Sequence, residues 1–210
     1  MNHWLETSKK NLIPLSVAND FHAAWKEWSF TGEVVDYEDD YEEIDCELCE
    51  HSDLKQHFRI KNKNTDKELL VGSSCILRFD DIEILNESNV AITDKTERKS
   101  HLDKVLKERL LDSMLEPVRQ LWKLESENQY RIGNLGKALK SGYGLSPLEM
   151  VLLFESLEAK AISYNPKRYK IALRHIEEQN QLARLKPEQL LKIKPTFSLQ
   201  QRKRYSKLLR

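Results

Sequence analysis

The chain has 210 residues, of which 40% are hydrophobic and 32% charged, a composition typical of globular proteins and not of fibrous or low-complexity ones. No segment approaches the roughly 18 apolar residues that a membrane-spanning helix needs. The first residues, MNHWLETSKK, lack the apolar core of a secretion signal. The sequence therefore predicts a cytoplasmic protein with no membrane partner.

Acidic and basic residues are separated along the chain, although its net charge is zero. Residues 1–50 contain thirteen acidic and three basic side chains, whereas residues 165–210 contain thirteen basic and three acidic ones. Such asymmetry is compatible with a nucleic-acid contact at the basic end. It is equally compatible with attraction between the two ends or with solvation, because exposed charge alone specifies no partner.

The first predicted elements are a short helix and a strand. Residues 16–28 carry apolar side chains at helical spacing, with Ser16 as the N-cap. Residues 30–37 are typical of a strand. Residues 36–45 are almost wholly acidic and predict an exposed loop.

A β-hairpin is predicted next. Residues 57–61 alternate polar with apolar side chains, as a half-buried strand does. Residues 62–67 predict a polar turn, and residues 68–72 predict the returning strand. A short helix capped by Ser73 or Ser74 should follow.

Helical patterns dominate the remainder. The polar stretch 86–96 predicts a boundary between domains at residues 1–94 and 95–210. An apolar stripe from Leu102 to Trp122 predicts a long helix that Pro117 kinks or breaks. Further helix starts are predicted from capping residues at Ser146, Asn165 and Ser198.

Three cysteines, Cys46, Cys49 and Cys75, predict one structural zinc ion. An odd number of cysteines without a secretion signal disfavours a disulfide framework. The Cys-x-x-Cys pair supplies two thiolates from one tight turn, and the predicted hairpin returns Cys75 towards that turn. Two other interpretations of the cysteines are small hydrophobic groups buried in the core and a redox pair, which needs a βαβ setting that the sequence does not show.

The fourth zinc ligand is predicted to be a histidine. His57 is favoured because strand alternation places its side chain on the face opposite Phe58 and Ile60. His51 is the alternative, and it requires a sharp turn directly after Cys49. An acidic side chain, a water molecule or another group also remains open.

Five short segments of the first third of the chain carry a resemblance: Glu27-Trp28, Gly32-Glu33-Val34, Cys46-Glu47-Leu48-Cys49, Phe58-Arg59-Ile60-Lys61-Asn62 and Leu70-Val71-Gly72-Ser73-Ser74-Cys75-Ile76-Leu77-Arg78-Phe79. They resemble a poorly characterised group of bacterial and phage proteins with a predicted N-terminal zinc-ribbon-like module. The sequence departs from that group at Glu50, where glycine is more common. The resemblance implies zinc and brings no established activity.

Basic residues near the C-terminus predict a surface that follows a nucleic-acid backbone. They are Lys167, Lys170, Arg174 and Arg184, on one face of the helix predicted from Asn165, and Arg202, Lys203 and Arg204 in the tail. A solvated helix face is the alternative. Gly133 and Gly136 match the spacing of the KH nucleic-acid loop, although glycines at this spacing also permit close helix packing.

The predicted fold class is α+β, with a small zinc-stabilised β-hairpin module followed by an all-helical domain. No phosphate loop, zinc-protease or serine-hydrolase motif is present in the sequence. The predicted function is therefore a non-catalytic, zinc-containing accessory protein associated with DNA or RNA. A protein–protein adaptor that uses the zinc module and the acidic loop is the alternative. A zinc enzyme would require an open fourth coordination position.

Overall fold

A computed structural model describes residues 3–36, 44–52 and 54–209. Within them the protein combines helices with a three-stranded antiparallel sheet, which confirms the predicted α+β class. The chain divides into two compact units, Met1–Arg109 and Leu110–Arg210. Positions 37–43 of the predicted acidic loop lie outside the described residues. No helix in the described part of the chain is both long and apolar enough to span a membrane.

The first unit contains the sheet and the N-terminal helices. Its elements are α1 (His3–Leu12), α2 (Phe21–Trp25), β1 (Trp28–Asp36), β2 (Gln56–Asn62), β3 (Glu68–Val71), α3 (Ser73–Arg78) and the beginning of α4 (Lys95–Leu124). The strand order is β1-β2-β3, so the predicted hairpin forms β2 and β3 and is extended by β1.

From Phe58 to Asn62, buried side chains alternate with partly exposed ones, which gives this part of β2 one core face. Phe58 pairs with Val34 on one side and with Val71 on the other, and all three are buried. The hairpin turn is closed by Asn62, whose side-chain oxygen accepts hydrogen bonds from the backbone N–H groups of Asn64 and Thr65. The alternating apolar residues of the strands therefore determine this pairing register, because only this register buries them together on one face.

The predicted helix at residues 16–28 is wrong at both ends. α2 begins after Asp20, whose carboxylate accepts a hydrogen bond from the Ala23 N–H at 2.9 Å and caps the helix. Trp28 starts β1, and its indole N–H donates to the Ser16 hydroxyl at 2.9 Å. The helix therefore starts later than predicted because Asp20 is its N-cap, and it ends earlier because Trp28 pairs within the sheet.

The second unit is helical in its described part. It contains the rest of α4 and then α5 (Gln129–Lys140), α6 (Pro147–Ala159), α7 (Ile176–Ala183), α8 (Pro187–Ile193) and α9 (Leu199–Arg204). The capping boxes predicted at Ser146 and Ser198 are both formed. Pro117 does not break α4, which continues to Leu124.

The helix predicted from Asn165 is wrong. The Asn165 side chain caps a single 3-10 turn, Pro166–Arg168, and the chain is then extended up to the start of α7. The extended segment pairs with Leu145, whose N–H donates to the carbonyl of Lys170 and whose carbonyl accepts from the N–H of Ala172. This long-range pairing overrides the local helical pattern.

Gly144 permits that pairing. Its φ is +92°, and a methyl group placed on it would lie 2.4 Å from the Lys170 carbonyl oxygen. A residue with a side chain would be both strained and in collision there. The close approach of two backbones therefore explains this glycine.

Candidate metal centre and basic cleft

Backbone hydrogen bonds hold the three cysteines in place. The turn that carries Cys46 and Cys49 is closed by two of them, from the Glu50 N–H to the Cys46 carbonyl and from the Cys46 N–H to the His51 carbonyl. The Glu47 N–H donates to the carbonyl of Leu70 in β3, which fixes the turn to the hairpin. Cys75 lies in the first turn of α3, directly after β3.

The three sulfur atoms form a compact cluster. The Sγ atoms of Cys46 and Cys75 are 3.7 Å apart, and those of Cys75 and Cys49 are 3.4 Å apart. Both distances far exceed a disulfide bond of about 2.0 Å. The backbone N–H of Gly72 also points at the Cys46 sulfur, at 3.4 Å. The cluster could hold a metal ion, since all three ligand atoms lie within 4.8 Å of one another.

The three cysteine thiols differ in pKa because they lie close together. The pKa of Cys46 is lowered to about 5, because the Cys75 thiol and nearby backbone N–H groups hydrogen-bond to its thiolate. The pKa of Cys75 is raised far above its usual range by the same bond and by burial. Burial also raises the pKa of Cys49. Neighbouring thiolates repel one another in a buried pocket, and a cation between them would remove that repulsion.

The two candidate histidines are placed differently. His57 is fully buried, and its ring Nε2 lies 3.3 Å from the carbonyl oxygen of Asp45, the residue before Cys46. His51 is exposed, and its backbone carbonyl closes the cysteine turn. Within the described residues neither histidine ring joins the group of close ligand atoms. The choice of His57 as fourth ligand stays a prediction.

Glu50 adopts a backbone conformation that favours glycine. Its φ is +58°, in the left-handed region. Its carboxylate accepts a hydrogen bond from the Asn11 side chain at 3.1 Å, and Lys10 lies 3.7 Å away. The turn after Cys49 therefore has the tight geometry that glycine would provide, although glutamate occupies the position.

A basic cleft lies in the second unit. It has a volume of about 570 Å³ and is lined by the turn Pro166–Arg168 with the extended segment that follows it, by residues 195–198 with α9, and by the loop before Gly144. Its cations are Lys167, Lys170, Arg174 and Arg204. Among the described residues, none of those that line it is acidic.

The cations of the cleft are exposed and lack acidic partners. None of them forms an ion pair within the part of the chain that is described, whereas Lys160 and Lys192 in the same unit pair with Glu125 and Glu158. The Arg174 guanidinium instead lies 4.8 Å from the centre of the Tyr143 ring.

The other predicted basic residues lie outside the cleft. Arg184 follows the end of α7, and Lys203 lies on α9. Arg202 donates to the backbone carbonyls of Phe197 and Pro195, so its guanidinium is engaged within the unit.

Tyr143 is a candidate binding residue that the sequence analysis missed. It lies between Gly142 and Gly144, both with positive φ, and the residue is 37% exposed and lines the cleft. An aromatic residue between two glycines is a signal for a loop that presents a side chain. Its position beside the cations of the cleft depends on the pairing of the extended segment with Leu145, which the local sequence does not indicate.

Comparisons of the chain with protein-family models, with curated proteins and with solved structures found no match.

Proposed function

We propose that this is a non-catalytic accessory protein that binds the phosphate backbone of nucleic acid through the basic cleft. In this proposal one structural zinc ion stabilises the N-terminal unit as a zinc-ribbon-like module. The observation that carries the proposal is the convergence of four exposed cations on one cleft, with no acidic residue among the described residues that line it.

The spacing of the sulfur atoms supports zinc as the metal. In a tetrahedral zinc centre with Zn–S bonds of about 2.3 Å, neighbouring sulfurs are about 3.8 Å apart. The distances of 3.7 Å and 3.4 Å in the cluster are close to that value. Three thiolates are also the ligand type that structural zinc prefers. Such an ion would cross-link the cysteine turn to the first turn of α3.

Charge and shape support nucleic acid as the ligand of the cleft. Lysine and arginine side chains gain affinity from each phosphate they neutralise, because condensed counterions are released. Lys167 lies in the turn Pro166–Arg168, Lys170 and Arg174 lie in the extended segment that follows it, and Arg204 is contributed by α9. Cations spread over three neighbouring stretches of chain suit a chain of phosphates. The Tyr143 ring offers an apolar surface beside them.

Reversing the charges of the cleft should abolish most of the binding. In Lys167→Glu/Lys170→Glu/Arg174→Glu, affinity for a mixed-sequence oligonucleotide should fall at least about tenfold in low salt. The slope of log affinity against log salt should also become shallower by up to about three units, since each lost phosphate contact removes about one. Fluorescence anisotropy of a labelled oligonucleotide over a salt series measures both quantities.

A matched variant controls for net charge. Arg184→Glu/Lys186→Glu/Lys203→Glu makes the same change in total charge at exposed positions that do not line the cleft. Its affinity should stay within about threefold of the parent chain. Equal losses in both variants would mean that overall charge, not the cleft, drives association. Absence of binding by the parent chain at low salt would refute the nucleic-acid function and favour the adaptor function.

The fourth zinc ligand can be tested with a substitution that keeps a hydrogen bond. His57→Gln can still donate to the Asp45 carbonyl but removes the imidazole. If His57 is a ligand, zinc affinity should fall by at least about tenfold in this variant. His51→Ala should leave zinc affinity nearly unchanged. Competition with a zinc-chelating dye measures both, and the reverse order of losses would assign the ligand to His51.

A further inference from the structure

An apolar groove runs between the second half of α4 and α5. It has a volume of about 490 Å³, and its floor is formed by apolar side chains and glycines: Leu115, Val118, Ile132, Gly133 and Gly136. Trp122 lines it while 43% exposed, although the sequence placed this residue in the apolar stripe of α4. A large exposed aromatic beside an apolar groove is typical of an interaction site.

Packing against the residues that the structure describes does not require glycine at either position in α5. A methyl group on Gly133 would lie 3.9 Å from the Trp122 ring nitrogen, and one on Gly136 would lie 3.8 Å from Val118. Both are ordinary contact distances, so alanine would fit at either position. Glycine inside a helix lowers helix stability relative to alanine. The glycines therefore keep the groove open at a cost in stability.

The rim of the groove is positively charged. Lys123, Lys137 and Lys140 line it, are exposed, and form no ion pair with any residue that the structure describes. Arg119, the other cation of the rim, is already paired with Asp112 at 2.6 Å. An apolar floor with lysines around it is complementary to a segment with an apolar stripe and acidic flanks.

We propose that this groove binds an acidic amphipathic helix of a partner protein. The twelve residues of α5 extend over about 18 Å, which matches about three turns of a bound helix. Apolar side chains of that helix at spacings of three and four residues enter the groove beside Trp122. Acidic side chains on both sides of the stripe pair with the three lysines. This interaction uses different residues from the basic cleft and does not depend on the nucleic-acid function.

A pair of designed peptides tests the proposal on the full-length protein. The first is an amphipathic helix of about 14 residues with leucines at helical spacing and glutamates at its other positions, and the second has lysines in place of the glutamates. Titration calorimetry should detect binding of the glutamate peptide and none of the lysine peptide. Equal binding of both peptides, or no binding of either, would overturn the proposal.

Variants locate the binding. Lys123→Glu/Lys137→Glu/Lys140→Glu should lower the affinity for the glutamate peptide at least about tenfold. Lys95→Glu/Lys99→Glu/Lys107→Glu changes net charge equally at exposed positions in the first part of α4 and should lower this affinity less than about threefold. Gly136→Leu fills the groove and should abolish binding while the helical circular dichroism is retained. Retained binding in Gly136→Leu overturns the proposal.

Two other occupants give different results. If a second copy of the chain covers the groove, sedimentation shows a dimer that Gly136→Leu dissociates, and the glutamate peptide fails to bind at concentrations where the dimer forms. If nucleic acid occupies it, Gly136→Leu weakens oligonucleotide binding. Either result overturns the proposal. The proposal is supported if Gly136→Leu loses peptide binding but keeps its oligomeric state and its oligonucleotide binding.

Discussion

With the proposed zinc ion at the cysteine cluster, a chelator is expected to unfold the unit Met1–Arg109 while the core of Leu110–Arg210 stays folded. The cluster links the turn at Cys46 and Cys49 to α3, and strands β2 and β3 lie between them in the chain. Zinc binding in small modules contributes on the order of 10 kcal/mol, and that binding energy is folding energy. Tryptophan fluorescence measures the loss, because Trp25 and Trp28 are both buried in this unit.

The same loss is expected in Cys75→Ser without a chelator, because serine is a poor zinc ligand. Re-addition of zinc should restore the parent chain and leave the variant unfolded in this unit. Excess zinc therefore serves as the control for damage by the chelator. A chelated parent chain with unchanged thermal unfolding would contradict the structural role of the metal.

Replacement of Arg98 should cause the largest loss of stability among substitutions outside the cysteine cluster that we consider. This side chain is 2% exposed, and its guanidinium donates to four backbone carbonyl oxygens, those of Ile76, Phe79, Ile82 and Ile92. It therefore ties α4 to the end of α3 and to the segment that follows. Burial lowers the pKa of Arg98, but arginine remains charged.

Arg98→Met should lower the free energy of unfolding by about 4 kcal/mol, because several buried carbonyls lose their donors at once. Arg98→Lys should recover only part of this, since one ammonium cannot reproduce the planar set of donors. Urea denaturation in the presence of zinc measures the loss as a shift of the midpoint. Arg109→Met, at an exposed position on the same helix, is the matched control and should change stability by less than about 0.5 kcal/mol. Similar midpoints for the Arg98 and Arg109 variants would contradict this role.

The hairpin was predictable because its signals are local. Alternation in residues 57–61, a polar turn and a second apolar run specify β2 and β3 without knowledge of any distant partner. The capping boxes at Ser146 and Ser198 are local in the same sense. The same reasoning failed at Ser16, where Asp20 is the better cap and Trp28 joins the sheet.

The extended segment after Arg168 could not be predicted from local pattern. Tyr169, Ile171 and Leu173 fit an alternating pattern as well as a helical one, and the pairing with Leu145 decides between them. Arg98 is a similar case, because its four acceptors come from positions 6 to 22 residues earlier in the chain. The sequence therefore indicates a basic C-terminal region but not which of its cations share a cleft.

Metal analysis of the purified full-length chain tests the central claim most directly. The protein is purified without added metal or chelator and compared with Cys46→Ser by mass spectrometry of its metal content. The parent chain should carry one zinc per molecule, and the variant should carry none. A parent chain without bound metal, or a variant that keeps a full equivalent of zinc, would contradict a zinc centre at Cys46, Cys49 and Cys75.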